Sequence, residues 1–212
     1  MLRASTAAWT CAAITDPRRR NPHMSSTDPR RLDRVVRFGV KPLVLCAALL
    51  PAASLLAGVL GFHGFHLGAN PIATILHTCG KWALNFLLLT LCVTPLAMLT
   101  GRNEWLRLRR MLGLSAFTYA LLHFLVYLIL DQSLNLRAVI ADIAKRPYIT
   151  IGFTALLLLV PLAATSTKGM MRRLGRRWQK LHRLVYVIAV LGVWHYYWGV
   201  KADVRQPLIY AA

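Results

Sequence analysis

The stretch MLGLSAFTYALLHFLVYLIL, Met111–Leu130, holds twenty residues without one Asp, Glu, Lys or Arg. A helix crosses the hydrocarbon of a bilayer in roughly 20 mostly apolar residues, and the only ionisable imidazole in this stretch is His123. Its Leu, Ala and aromatic residues show no alternation of period two, so it reads as an α-helix rather than a barrel strand.

Working outward, four more runs have the same character: Pro42–Leu60, Ile72–Thr100, Tyr148–Thr165 and Leu184–Val200. Pro51 is an expected kink in the first. The second is interrupted by His77, Lys81 and Asn85 and is cleanest over Trp82–Leu99. Between the third and fourth runs, Leu134–Lys145 is weakly amphipathic. The chain is 57% hydrophobic and 16% charged, against about 45–50% and about 25% in soluble domains. The expected fold is an all-α integral membrane protein, a helical bundle of about five transmembrane helices over residues 42–212. Residues 1–41 form a basic tail expected to be disordered, with Met24 as the expected true start.

The net charge of +19 raises nucleic acid as a partner, but the placement of the charges excludes it. Lys and Arg gather in short blocks between apolar runs. The tail, residues 101–110 and residues 166–183 carry nine, four and seven of them, whereas the alternate connections carry none, three and two. That alternation is the positive-inside pattern and puts the N-terminus in the cytoplasm. The block Lys168–Arg183 is then a topology determinant beside anionic lipid, and a surface that could dock an anionic cofactor or a soluble donor. Cys11, Cys46, Cys79 and Cys92 have no CxxC spacing, so neither a zinc site nor a disulfide framework is expected. No serine-nucleophile motif, P-loop, HExxH or dinucleotide fingerprint is present, so any chemistry belongs to a cofactor.

Intramembrane ionisable residues are costly and point to function. His123 lies twelve residues into its run and His195 eleven into the last, which places both imidazoles about 17–18 Å from the basic side at 1.5 Å per residue. Two imidazoles at one depth on different helices match what a bis-histidine b-type haem requires. His182 precedes His195 by thirteen residues, about 20 Å of helix rise, enough for a second haem nearer the cytoplasm. The residue facing it at that depth is Arg109 or Arg110, which holds a propionate but does not ligate iron. His77, near Gly80, is a further ligand, a propionate partner or a polar anchor. His63 and His66 sit in a Gly-rich exterior turn and read as solvated. Trp194, Tyr196, Tyr197 and Trp198 read as an interfacial belt, or as walls for a porphyrin. Lys81 and Asn85, four apart, read as a polar contact inside the bundle. Two rival readings stay open: a histidine-based proton or metal transporter, and a cofactor-free membrane assembly subunit.

Several segments resemble one family. They are His77 to Gly80, Thr94-Pro95-Leu96, Arg109 to Leu114 leading to Leu122-His123, Arg146-Pro147-Tyr148, Thr165-Ser166-Thr167, the run Leu174 to His182, His195-Tyr196, and Gln206 to Tyr210. Together they resemble the MsrQ (YedZ) family, the haem-binding membrane subunit of the MsrPQ protein-methionine-sulfoxide reductase system. That family lies within the ferric-reductase-like transmembrane superfamily. The resemblance implies a multi-pass protein of the bacterial inner membrane that carries b-type haem, one or two, and is associated with FMN. It implies an electron-transfer subunit rather than the catalytic reductase. The partners it implies are a cytosolic flavin reductase or the quinone pool as donor, and a periplasmic molybdopterin-containing methionine-sulfoxide reductase as acceptor. By resemblance His123, His182 and His195 match haem-ligand positions and Arg109 an arginine near the haem. It also implies a sixth span, which would begin where the sequence stops at Ala212.

Overall fold

A computed structural model describes residues 36–62, 64, 67–101 and 105–199. The calls on residues 1–35 of the tail, Met24, His63, His66 and the segment Gln206 to Tyr210 lie outside the described residues, whereas residues 36–41, the end of the expected disordered tail, are helical. Each of the five apolar runs is helical. A π-helical turn, Val36–Val40, leads into α1, Lys41–Val59. Helix α2 is Pro71–Thr100 and α3 is Leu106–Val126, which continues as a π-helical turn over Tyr127–Asp131. Then follow α4, Leu136–Lys145, and α5, Pro147–Ala164. Two short helices, α6 at Lys168–Leu174 and α7 at Arg176–His182, precede α8, Leu184–Gly199.

The ends of these helices follow from local chemistry. Pro71 and Pro147 sit in the first turns of α2 and α5, where a missing N–H costs nothing. Asn70 caps α2 by accepting from the Ala73 N–H at 3.2 Å, and Asn135 caps α4 from the Ala138 N–H at 3.1 Å. Gly101 ends α2 with a φ of 63°, the left-handed conformation that glycine adopts without strain. Helix α3 begins at Leu106, five residues before the apolar run, because Arg107, Arg109 and Arg110 are good helix formers at a polar end.

Four stretches are long and apolar enough to cross a bilayer: Phe38–Val59, Pro71–Thr100, Leu106–Asp131 and Pro147–Ala164. Helix α8 has 16 described residues, about 24 Å of rise. The fold is therefore an all-α membrane bundle. Helices α2 and α3 pack most closely, α5 packs on α8, and α1 leans on α2 and α3 from outside. Phe86, Leu112, Ala116, Leu159, Val185 and Ile188 form the shared core. Leu50, Leu56, Met98, Leu99, Leu157 and Val190 point outward, as expected where the solvent is lipid. Thr90, Thr118 and Thr154 donate to carbonyls one turn back, so their hydroxyls are satisfied within the helix.

Helix α1 is held by one specific polar contact. The Tyr119 hydroxyl of α3 accepts from the Ala52 N–H at 3.0 Å and donates to the Ala48 carbonyl at 2.7 Å. An undistorted helix pairs those two groups with each other, and they flank Pro51, which has no N–H to donate.

Two ends of the bundle can be told apart. One carries α4 and the start of α2. The other, the basic end, carries α6, α7 and the start of α3.

Candidate functional site

Helices α2, α3, α5 and α8 line a cavity of about 310 Å³ in the half nearer α4. His123 from α3 and His195 from α8 meet in it, with ring centres 6.0 Å apart and planes at 80°. Nδ1 of His123 lies 2.8 Å from the Leu76 carbonyl oxygen on α2. Nδ1 of His195 lies 2.7 Å from the Tyr148 carbonyl oxygen on α5. A carbonyl can only accept, so each Nδ1 carries its proton and donates. In the neutral ring that leaves Nε2 as the nitrogen with a free lone pair.

The two arrangements are near copies. Leu76 lies four residues before Gly80, and Tyr148 lies four before Gly152. A Cβ added at Gly80 would stand 3.0 Å from Nδ1 of His123, and one at Gly152 would stand 2.6 Å from Nδ1 of His195. Each imidazole therefore lies in a notch that a glycine opens in the neighbouring helix, and the carbonyl one turn away takes its proton. Neither glycine is marked as a seat for an imidazole by the sequence alone. An isolated glycine inside an apolar helix was the available signal.

Apolar side chains make most of the remaining wall, among them Leu84, Leu87, Ala116, Phe153 and Ile188. Polar groups gather toward the α4 end: His77, Lys81, Tyr127, Asp131 and Arg146. There Asp142 of α4 accepts from the Tyr127 hydroxyl at 3.1 Å and lies 3.4 Å from Nε of Arg146. Tyr127 sits in the π-helical turn that ends α3. No hydrogen bond joins Lys81 to Asn85 among the described residues, so that expected contact is not formed. Nor do the described residues include a group of three or more His, Cys, Asp or Glu placed to hold a metal ion. Two imidazoles alone hold a metal where its other ligands come with it, as in a macrocycle.

Residues 79–193 match the family described as ferric reductase like transmembrane component. Over 182 residues, 82% of this chain and 81% of the relative, the chain is 50% identical to the protein-methionine-sulfoxide reductase heme-binding subunit MsrQ of Xanthomonas euvesicatoria pv. vesicatoria. It is 51% identical over 174 residues to the protein of that name from Herminiimonas arsenicoxydans, covering 81% of this chain and 78% of the relative. With that of Xanthomonas campestris pv. campestris it shares 56% identity over 145 residues, 68% of this chain and 66% of the relative. The chain belongs to the MsrQ family.

The match to the ferric-reductase-like description begins at Cys79, inside α2, and closes at Val193, inside α8, so it takes in His123 and His182 but stops short of His195. His182 and Arg109, the other positions carried over from the MsrQ family, lie together at the basic end, outside the cavity wall. The sequence places His182 thirteen residues before His195, about 20 Å along one helix. His182 ends α7 one residue before α8, and Arg183 between them keeps right-handed helical angles, φ −66° and ψ −21°, with its N–H bonded to the Gln179 carbonyl. The His182 ring stacks on Trp178 at 3.9 Å, and its Nδ1 lies 3.2 Å from the Trp178 carbonyl oxygen. Nε2 of His182 is buried with no hydrogen-bond partner among the described residues. Burial holds this imidazole below the usual histidine range, and the Arg109 charge pushes the same way against the Trp178 and Leu162 carbonyls. Trp178 in turn donates from Nε1 to the Thr165 carbonyl at 3.0 Å, tying α7 to the end of α5.

His77 lines the α4-side cavity and is exposed. Of the aromatic cluster on α8, Tyr196 lines the cavity, whereas Trp194, Tyr197 and Trp198 face outward, as a belt would. Arg172, Arg173, Arg176 and Arg177 are all exposed at the basic end.

Proposed function

We propose that this chain is the haem-binding electron-transfer subunit of a protein-methionine-sulfoxide reductase system, in which His123 and His195 would hold a b-type haem. The observation that carries this is the paired imidazoles, 6.0 Å between centres, each with Nδ1 held by a backbone carbonyl. A metal–imidazole bond is about 2 Å long, so rings whose centres lie 6.0 Å apart would leave room for one metal ion between them. Bound there, a b-type haem supplies a one-electron iron couple. The Leu76 and Tyr148 carbonyls fix the tautomer and orientation of the two rings. Gly80 and Gly152 let those rings seat against the helix backbone. The apolar wall excludes water, which raises the weight of every remaining charge.

The positive-inside pattern supports a cytoplasmic basic end, and the family resemblance supports the inner membrane of a bacterium. Electrons then enter from a cytosolic flavin reductase or from quinol, and leave at the α4 end toward a periplasmic molybdopterin-containing reductase that repairs oxidised methionine. FMN follows from the family resemblance. The exposed arginines of α6 and α7 give the cytoplasmic side the charge that a phosphate-bearing flavin or an acidic donor requires. His182, stacked on Trp178 beside Arg109, is a separate ligand position at that end.

The test is a reduced-minus-oxidised absorption spectrum of the detergent-extracted full chain. The wild type should show a low-spin b-type signal, and His123→Ala and His195→Ala should each abolish it. A wild type that takes up no haem, or variants that keep an unchanged spectrum, would overturn the assignment.

A further inference from the structure

Within the five apolar runs, Lys81 is the one Lys or Arg. It lies ten residues into α2, so its Cα is about 15 Å from the start of that helix. Among the described residues it has neither a hydrogen-bond partner nor a counter-ion. A cation at such a position is costly, and those that persist face a protein interior and pair with something. Lys81 faces the histidine cavity: it lines the wall with His77 one turn before it and Leu84 one turn after. It also follows Gly80 directly, the residue on which the His123 ring rests.

Other groups around the cavity do not answer this charge. Asp131 is the one carboxylate in the wall; it accepts from the Gln132 side chain at 3.0 Å and is not within ion-pair distance of Lys81. Asp142 is engaged by Tyr127 and Arg146. Arg146 is the second cation in the wall and already has its carboxylate, whereas Lys81 has none.

We propose that Lys81 is the anchoring cation for a carboxylate of the ligand that fills the histidine cavity, namely a propionate of the haem. This rests on the haem reading above. It gives the ligand a direction: the carboxylate edge turns toward the α4 end, where the polar groups of the wall lie, and the apolar edge turns toward Leu159 and Ile188. Lys81 is thus a positioning residue, acting on the periphery of the ligand and not on its metal.

The charge can be removed from either partner, so a double-mutant cycle isolates the pair. The detergent-purified full chain, as wild type, Lys81→Met and Lys81→Arg, is loaded with haemin or with haemin dimethyl ester, which lacks free carboxylates. Release to excess apomyoglobin is followed by absorbance. In the wild type the ester should leave about tenfold faster than haemin, the size of one charge-assisted hydrogen bond. In Lys81→Met the two should leave at the same, faster rate, and Lys81→Arg should keep most of the difference. Equal rates in the wild type, or haemin released from Lys81→Met no faster than from the wild type, would overturn the proposal and assign Lys81 to snorkelling toward the headgroups. A wild type that binds neither ligand would overturn the haem reading along with it, so the two failures are distinct.

Discussion

At the α4 end, His123 and His195 face each other from two helices, and each rests in a glycine notch with its proton given to a neighbouring helix. At the basic end, His182 gives its proton to its own helix and stacks on Trp178, with Arg109 as its charged neighbour. The tautomer is the same in all three, because a carbonyl takes Nδ1–H each time. What differs is the support. The first pair is braced between four helices, so its geometry depends on how α2, α3, α5 and α8 pack. The single histidine is braced within α7, so its geometry depends mainly on one short helix and its tie to Thr165. The first arrangement suits a ligand gripped from two sides, and the second suits a contact made from one.

The strongest way to break this contrast is to exchange the losses. His195→Ala should abolish the b-type difference spectrum, whereas His182→Ala should leave the signal of the paired site in place. If His182→Ala alone removes the whole spectrum, the two ends are not independent. Next in size come the notches. Gly152→Ala puts a Cβ at 2.6 Å from Nδ1 of His195, so that ring must move; overpacking of this kind costs about 1–3 kcal/mol, and haem content should fall with it. Gly80→Ala, at 3.0 Å from His123, should do less, and Gly192→Ala, at 3.4 Å from a Leu84 methyl, should leave haem content near that of the wild type. Haem-to-protein ratios across the three check the ranking, and a flat series would remove the notch argument. The smallest effect belongs to the basic end. Trp178→Phe loses the bond to Thr165 and should cost about 1 kcal/mol, read as a lower thermal midpoint, without moving the spectrum of the paired site.

The bundle was legible because each apolar run is long, nearly uncharged and separated from the next by charge, so length and composition alone identified five helices. The pairing of His123 with His195 was legible for a related reason: helix rise converts residue number into depth, and both fall at one depth. Rise says nothing about what stands beside a side chain on a different helix. For that reason the Leu76 and Tyr148 carbonyls, and the glycines one turn after them, had to come from the packing. The expected Lys81 to Asn85 contact failed on similar grounds. A spacing of four places two residues on one face but does not make them touch, and here Lys81 turns into the cavity.

The Tyr119 hydroxyl, seated between the Ala48 carbonyl and the Ala52 amide, has a consequence for how α1 finds its place. Lipid tails are as apolar as Leu, so a greasy helix gains little from one rotation or depth over another. A single hydroxyl that needs one carbonyl and one amide on the same turn admits one rotation and one depth only. Helix α1 is thereby indexed against α3, much as a lone buried asparagine sets the register of a coiled coil. Pro51 leaves the backbone open where that index is read.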